Sequence, residues 1–429
     1  MLSVSKTSLA RRRVIIEFSV VTALIIAASC MYILKEFTTP LLYGIDGPYY
    51  IQVSSILMSG HLKYPDPPLS FYILTAFSVL LNDIIAGIKV GSVITTLLAA
   101  YAIYYIVRYI TNPAGGLIAS LFYLSSPMLI RMMFDLIKNA MGLTFLTFTL
   151  LFCYLAVHRH RLLYSVFAVV FAVLTGLTHI LDFAVMYYTT LLLLVLTIVL
   201  NRKELKYVTP PFAASTVILA LGFTYYSIMG GDPYKGVSFI NMLLTQLQHL
   251  AITSYGVSAV AYPLAVGVAG VAFALTRKNP RAVSSRLIIS ASAILILLNV
   301  PIIPQQFLWR FNLMTAILAP LIIGVIIGSI GKLKHVLLIT LILVGLMLPQ
   351  MVGQIQSVRP SISLQEYNEL KHVTSIAPNN TVFIVPDMRL KYWVETLAPN
   401  VVRSLKELPP NTPAILVIEK LRKHPPIPP

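Results

Sequence analysis

Charge is scarce in this chain. Of its 429 residues only 11% are Asp, Glu, Lys or Arg, and just 15 are acidic, against about 25% charged in an ordinary soluble domain. A soluble globular enzyme is thereby excluded: 57% hydrophobic residues and a mean hydropathy of +0.83 describe a polytopic membrane protein. Cysteine is nearly absent. Cys30 and Cys153 both fall inside apolar runs, near opposite membrane faces in the topology below, so no disulfide is expected. No small-residue cleavage site with a polar start follows the first apolar run, so no cleavable signal peptide is expected. Nucleotide-binding glycine loops, a catalytic-serine elbow and a Cys–His metal motif are all missing. Their absence disfavours a cytoplasmic nucleotide-sugar enzyme or an ATP-driven pump, and no nucleotide cofactor is expected.

What is present is a succession of apolar runs between residues 14 and 356, separated by short polar breaks. A span needs roughly 20 apolar residues. The net charge of +17 would point to nucleic acid in a soluble chain. Here the basic residues gather in short loops, where they mark membrane topology, and no nucleic-acid partner is expected. Five clusters stand out: Arg11-Arg12-Arg13, "HRHR" at 158–161, "NRKELK" at 201–206, "TRKNPR" at 276–281 and "KLKH" at 332–335. If all are cytoplasmic, an even number of crossings separates each neighbouring pair. The runs 162–180 with 183–200, 207–229 with 255–275, and 287–303 with 313–330 satisfy this, and 336–355 leads outward. Before "HRHR" lie 14–34, 84–107, 114–130 and 137–157, and counting the thirteen-residue run Leu69–Leu81 as well would make the number odd.

Leu69–Leu81 is therefore expected not to cross, as its length also suggests. Ser70, Thr75, Ser78 and Asn82 fall within one helical arc, a weak polar stripe that would let the helix lie along the membrane surface. The expectation is an all-α bundle of about 11 transmembrane helices. Its amino terminus is inside, its carboxyl terminus outside, and a first external loop with interfacial helices runs over about 35–83. Residues 1–356 would form the membrane domain and 357–429 a small extracytoplasmic one.

In this topology Asp46, His61, Asp66, Arg131, Asp135, Lys138, His179, Asp182, Asp232, Lys235, His249 and Arg310 gather on the outer side. Ionisable groups at membrane depth are costly and mark functional paths, although interfacial snorkelling accounts equally well for Lys235 and His249. In "SPMLIRMMFDLIKNAMG", Arg131, Asp135 and Lys138 stand at i, i+4 and i+7, one face of a helix that would open the fourth span. An ion pair explains Arg131 with Asp135 and leaves Lys138 over. "GLTHILDF" sets His179 and Asp182 three apart, and "QQFLWRFNLM" supplies Arg310. These groups are either satisfied polar residues of the bundle interior or a shared site. Cations aimed at a phosphate and a carboxylate aimed at a hydroxyl suit group transfer from a lipid phosphate.

The acidic residue soon after the first span in "GIDGPYY", then "YPDPPLSFY" leading a non-spanning helix, and the later Arg and Asp pair resemble the GT-C glycosyltransferases. That class includes protein O-mannosyltransferases, aminoarabinose transferases and oligosaccharyltransferases. The resemblance covers the first 140 or so residues best. It implies a polyprenyl (dolichyl) phosphate sugar donor, an acceptor on protein, glycan or lipid, and inverting transfer on the extracytoplasmic face of a membrane. It also implies that Asp46 is the catalytic base or orienting acceptor; the charges gathered on the same face make His61, Asp66, Arg131, Asp135, Lys138, His179, Asp182 and Arg310 the candidate substrate-binding residues. Two departures stand out: Asp46 is followed by Gly47 where many members carry a second acid, and Asp66 precedes the double proline. Asp46 and Asp66 are two oxygen donors for a divalent cation, which stays an open alternative because no ligand spacing fixes it.

From residue 357 the chain turns polar, with "SLQEYNELKHVTSIAP" patterned as a helix and "NTVFIVPD" and "PAILVIEKL" as strands. A small α/β cap on the outer face is expected, too small for a large core of its own. Asn379-Asn380-Thr381 is an N-glycosylation sequon on the correct side, and "HPPIPP" an extended end. Alternatives to a transferase are a multi-pass transporter or lipid flippase, against which the one-sided charges and the lack of a clear repeat speak, and a noncatalytic subunit of a glycan-assembly complex.

Overall fold

The computed structural model describes residues 2–44, 47–228, 242, 244–245, 257–277, 279, 281–330, 333–408 and 412–418. Asp46, Asp232, Lys235, His249 and the proline-rich end lie outside the described residues.

The chain is a helical bundle with a small sheet at its carboxyl end. In order come α1 (Leu2–Glu36), α2 (Gly47–Ser59), α3 (Leu69–Leu81), α4 (Ile84–Leu97), α5 (Ala99–Ile110), α6 (Pro113–Leu124), α7 (Pro127–Asp135), α8 (Ile137–His158), α9 (Leu162–Gly176), α10 (Ile180–Leu200) and α11 (Leu205–Ile228). Then follow Val257–Thr276, Val283–Leu297, Gln305–Leu313, Thr315–Gly328 and Leu333–Ser357. Each long apolar run among the described residues forms helix over most of its length, as backbone groups in hydrocarbon require. Among the described residues five helices are long and apolar enough to cross a membrane, or seven if two bent pairs each count as one span. The run 114–130 is one such pair, α6 and α7 meeting at 47°.

The most enclosed helix is α8, whose span is 89% buried, whereas α1 and Leu333–Ser357 lie on the periphery at 17% and 6%. An apolar helix with small residues such as Ala140, Gly142 and Thr144 on its buried side packs closely against neighbours on all sides. This puts the amino-terminal end of α8 at the centre of the bundle's polar end. Nearby, Lys89 of α4 is buried and donates to the carbonyls of Glu36 and Thr39 at 2.7 and 2.6 Å. A cation there completes the carbonyl end of α1.

The helix expected over Leu69–Leu81 forms, but its polar stripe faces the other way. Ser70, Thr75 and Ser78 are buried against the bundle, while Tyr72, Val79, Leu80 and Leu81 are exposed. The hydroxyls of Thr75 and Ser78 donate to the carbonyls of Phe71 and Leu74 at 2.8 Å. An outward apolar face is the arrangement expected beside lipid, with Thr75 and Ser78 bonded inside the helix and Ser70 Oγ buried without a hydrogen-bond partner among the described residues.

The carboxyl-terminal segment is the expected α/β unit. Helix Leu364–Ile376 opens on a capping box of Ser363 and Glu366. Strands β1 (Val382–Ile384), β2 (Val401–Val402) and β3 (Ala414–Leu416) form a parallel sheet in the order β2-β1-β3, with helix Met388–Glu395 between β1 and β2. The sequon residues Asn379 and Asn380 are exposed just before β1. Its core is shared: Phe383, Val394 and Trp393 cluster with Leu41, Tyr49 and Val53 of the first loop. A segment this small buries too little apolar surface alone, so the first loop and the cap form one apolar core.

Candidate active site

The expected single helix through Arg131, Asp135 and Lys138 is broken. Helix α7 ends at Asp135, Leu136 leaves helical geometry (φ −136°, ψ 58°), and α8 starts at Ile137. Arg131 pairs with Asp135 inside α7, Nε to carboxylate at 2.8 Å, while Lys138 faces a different partner. The backbone N–H of Lys138, one of the unpaired donors of a new helix, donates to the Tyr49 hydroxyl at 3.0 Å. That side-chain cap offsets the cost of the break.

Lys138 is not left over. Its ammonium donates to the Asp66 carboxylate and lies 5.4 Å from the centre of the Phe71 ring. The "YPDPP" turn is thereby tied to the start of α8. Pro65, Pro67 and Pro68 stiffen that turn, and Leu69, which opens α3, donates its N–H to the Leu177 carbonyl at 2.9 Å.

Gly44 wedges against the same break. With φ at +65°, it sits so close to α7 that a β-carbon would lie 2.3 Å from an Asp135 carboxylate oxygen and 2.7 Å from Asp135 Cα. Its N–H donates to the Arg359 carbonyl and its own carbonyl accepts from Ser361 N–H, both at 3.1 Å. Only glycine meets both requirements at once. Gly44 thus lies against Asp135, and Tyr49 against Lys138.

One turn further along α8, Asn139 and Gly142 receive Asp182. Its carboxyl group is fully buried and lies 3.0 Å from His179 Nδ1, within hydrogen-bond distance. With its amide turned to donate, Asn139 nitrogen lies 3.0 and 2.7 Å from the two Asp182 oxygens. A β-carbon at Gly142 would come within 2.2 Å of Asp182 Oδ2, so glycine there makes room for the acid. His179 sits in the junction between α9 and α10. Burial, and then the positive charges of Lys138 and Arg310, push its imidazole well below its usual pKa, so it is neutral at pH 7.

Arg310, on Gln305–Leu313, is exposed and stacks over the Trp309 ring at 5.1 Å. Its field reaches His179, which places a further cation beside the cluster. His61 is exposed and bonds locally, ring Nδ1 lying 2.9 Å from the Ser59 carbonyl. The cap closes in from the other side. Glu395 accepts from the Tyr64 hydroxyl at 2.8 and 2.7 Å and pairs with Lys391 at 3.4 Å and Lys63 at 3.8 Å. Burial, and after it the Glu395 hydrogen bond, hold the Tyr64 phenol well above its ordinary pKa. Tyr64 therefore remains a donor, one residue before the Pro65-Asp66 turn.

The structure thus joins Asp66, Arg131, Asp135, Lys138, His179 and Asp182 around one helix end, with Arg310 alongside. Sequence reasoning missed Asn139, Glu395 and the cap that Tyr49 provides. Asn139 had a visible signal, a second polar residue beside Lys138 at the start of an apolar run. For a divalent cation, no group of three or more His, Cys, Asp or Glu side chains is placed to hold one among the described residues. Asp66 would have to exchange Lys138 for the metal.

The proline turn, the start of α8 and the start of α10 are thus joined through Asp66, Lys138, Asn139 and Asp182. Residues 65–226 match the family model of the dolichyl-phosphate-mannose-protein mannosyltransferases. That stretch runs from the proline turn through Lys138, His179 and Asp182. No curated protein matches the chain. Among solved structures it is similar to the Archaeoglobus fulgidus oligosaccharyltransferase. In the form tethered to an acceptor peptide containing an NVT sequon, the match has a TM-score of 0.60 at 13% identity over 89% of this chain and 63% of that one. The complex with zinc and sulfate gives 0.59, 15%, 88% and 61%, and the apo form 0.60, 14%, 89% and 64%. The chain therefore spans less than two thirds of that protein's length, and at this identity the likeness shows a shared fold. This chain resembles the GT-C-type membrane glycosyltransferases, as its loop and proline motif suggested.

Proposed function

We propose that the chain is an inverting glycosyltransferase that moves a sugar from a polyprenyl phosphate to an acceptor on the extracytoplasmic membrane face. The observation that carries this reading is the junction at Asp135 to Lys138. There Gly44 meets Asp135, Tyr49 caps the start of α8, and the Lys138 ammonium at that start pairs with Asp66.

In the proposed reaction the acceptor hydroxyl oxygen attacks the anomeric carbon from the face opposite the phosphate. The carbon–oxygen bond to the phosphate breaks, and its electron pair leaves on the phosphate oxygen. Lys138 and Arg310 would stabilise that charge, Arg310 through its planar fork, and Arg131 would lend support while holding Asp135. The hydroxyl proton passes to Asp46, whose assistance is typically worth on the order of 10² to 10⁴ in rate. The donor phosphate competes with Asp66 for Lys138, so substrate entry would loosen the proline turn. Residues 1–356 would bind lipid and donor, and 357–429 would help select the acceptor, which is a protein, glycan or lipid.

The test is Asp46→Asn, which keeps size and removes basicity. The purified variant should fold and bind dolichyl-phosphate sugar like the parent while losing at least 99% of transfer to acceptor. Parent-like turnover would remove Asp46 from the chemistry.

A further inference from the structure

We infer that His179, held by Asp182, forms a hydroxyl-binding subsite for the sugar of the lipid-linked donor. This deepens the glycosyltransferase reading and rests on it. His179 occupies the amino-terminal cap position of α10, where a side chain usually bonds back to the helix, yet it makes no such bond. Its ring turns instead to Asp182, which is fully buried and also faces Asn139. The Nδ1 proton is assigned toward Asp182, which Asn139 also faces, and in that neutral tautomer Nε2 is the acceptor. Among the described residues no group donates to Nε2, and about a quarter of the side chain is open.

The groups that face this imidazole from neighbouring elements are Lys138 of α8 and Arg310 of Gln305–Leu313, with Asp182 on its own helix. Both cations oppose a proton on the ring, which keeps the lone pair available. They also decide what can bind it. An ammonium ligand would be repelled, and an ionised phosphate or carboxylate has no proton to give. A neutral donor remains, and beside two cations suited to a phosphate the nearest neutral donor is a hydroxyl of the sugar bonded to that phosphate. Such a contact distinguishes one sugar from another by the presence and orientation of a single hydroxyl.

The experiment titrates dolichyl-phosphate mannose and its monodeoxy analogues into the full chain in lipid nanodiscs. Binding is read separately from transfer. His179→Asn keeps a donor facing Asp182 and leaves nothing at the Nε2 position, whereas His179→Gln can carry a carbonyl there. The parent should bind mannose roughly tenfold tighter than one particular monodeoxy analogue. His179→Asn should bind the two alike, and His179→Gln should keep part of the preference. A full preference retained in His179→Asn, or no preference in the parent, overturns the subsite. Failure of the parent to bind any of these lipids overturns the donor reading and the subsite together. A preference lost in His179→Asn, with no acceptor ever glycosylated by the parent, supports the subsite and overturns the transferase reading.

Discussion

The ammonium of Lys138 bonds the carboxylate of Asp66, 72 residues away in the chain. It joins the proline turn of the first loop to the start of the most buried helix. Partly open on both sides, at 20% and 29% side-chain exposure, the pair should contribute only modestly to stability. Lys138→Met and Asp66→Asn, alone and together, should show a coupling of about 1 kcal/mol in thermal unfolding. Lys138→Met should also lower kcat/KM for donor by roughly 10²-fold, since it removes a cation from the leaving phosphate. Additive unfolding effects would show that the two groups act independently.

Gly44→Ala should be far more damaging than Gly60→Ala. Both glycines have positive φ, +65° and +77°, but Gly60 has open space where Gly44 meets Asp135. The shared backbone penalty is about 1 kcal/mol, so the difference between the two variants isolates the steric clash. Gly44→Ala should lose at least an additional 1 kcal/mol or so and slow transfer more than tenfold. Equal effects of the two substitutions would mean that the close approach to Asp135 carries no weight.

Tyr64→Phe removes a hydrogen bond to a carboxylate, worth about 1.5 to 3 kcal/mol. The expected outcome is faster hydrogen exchange in helix Met388–Glu395 with exchange in α8 unchanged, together with slower transfer. Unchanged exchange in that helix would show that the shared apolar core alone docks the cap.

His179 sets a direction for acid sensitivity. Its native pKa is depressed below about 6.5, the value of a free imidazole, so below that pH the unfolded chain binds more protons than the folded one. The contribution is fully present above about pH 6.5 and declines as the pH falls toward the native value. His179→Gln should therefore show a shallower loss of thermal stability between about pH 6.5 and 5 than the parent. Parallel curves would rule out this titration.

Much of the fold can be read locally. Apolar length marks the helices, and β-branched runs such as "NTVFIVPD" mark the sheet. What escapes is the consequence of environment and of distant pairing. Ser70, Thr75 and Ser78 do share a face of α3, but beside lipid that face turns inward, the reverse of the rule for water. The break at Leu136 has no proline or glycine to announce it; it exists because Tyr49, from 89 residues earlier, caps the new helix. Asp66, Lys138, His179 and Asp182 were each visible as costly ions in a greasy chain. Which one pairs with which depends on the packing of α3, α8 and α10, and Asn139 becomes conspicuous only once Asp182 is found against it.

The contact between Tyr64 and Glu395 spans 331 residues, and the strand bridge from Gly44 to Pro360 is of similar reach. A ribosome makes the first partner long before the second. Leu41, Tyr49 and Val53 must therefore wait, without their final covering, while helix after helix is inserted. Gly44 gains its bonds to Arg359 and Ser361 only after those residues have been made. A nascent chain that stops short of Arg359 therefore holds Gly44, Tyr64 and Lys138 without the bonds that brace Gly44 and Tyr64.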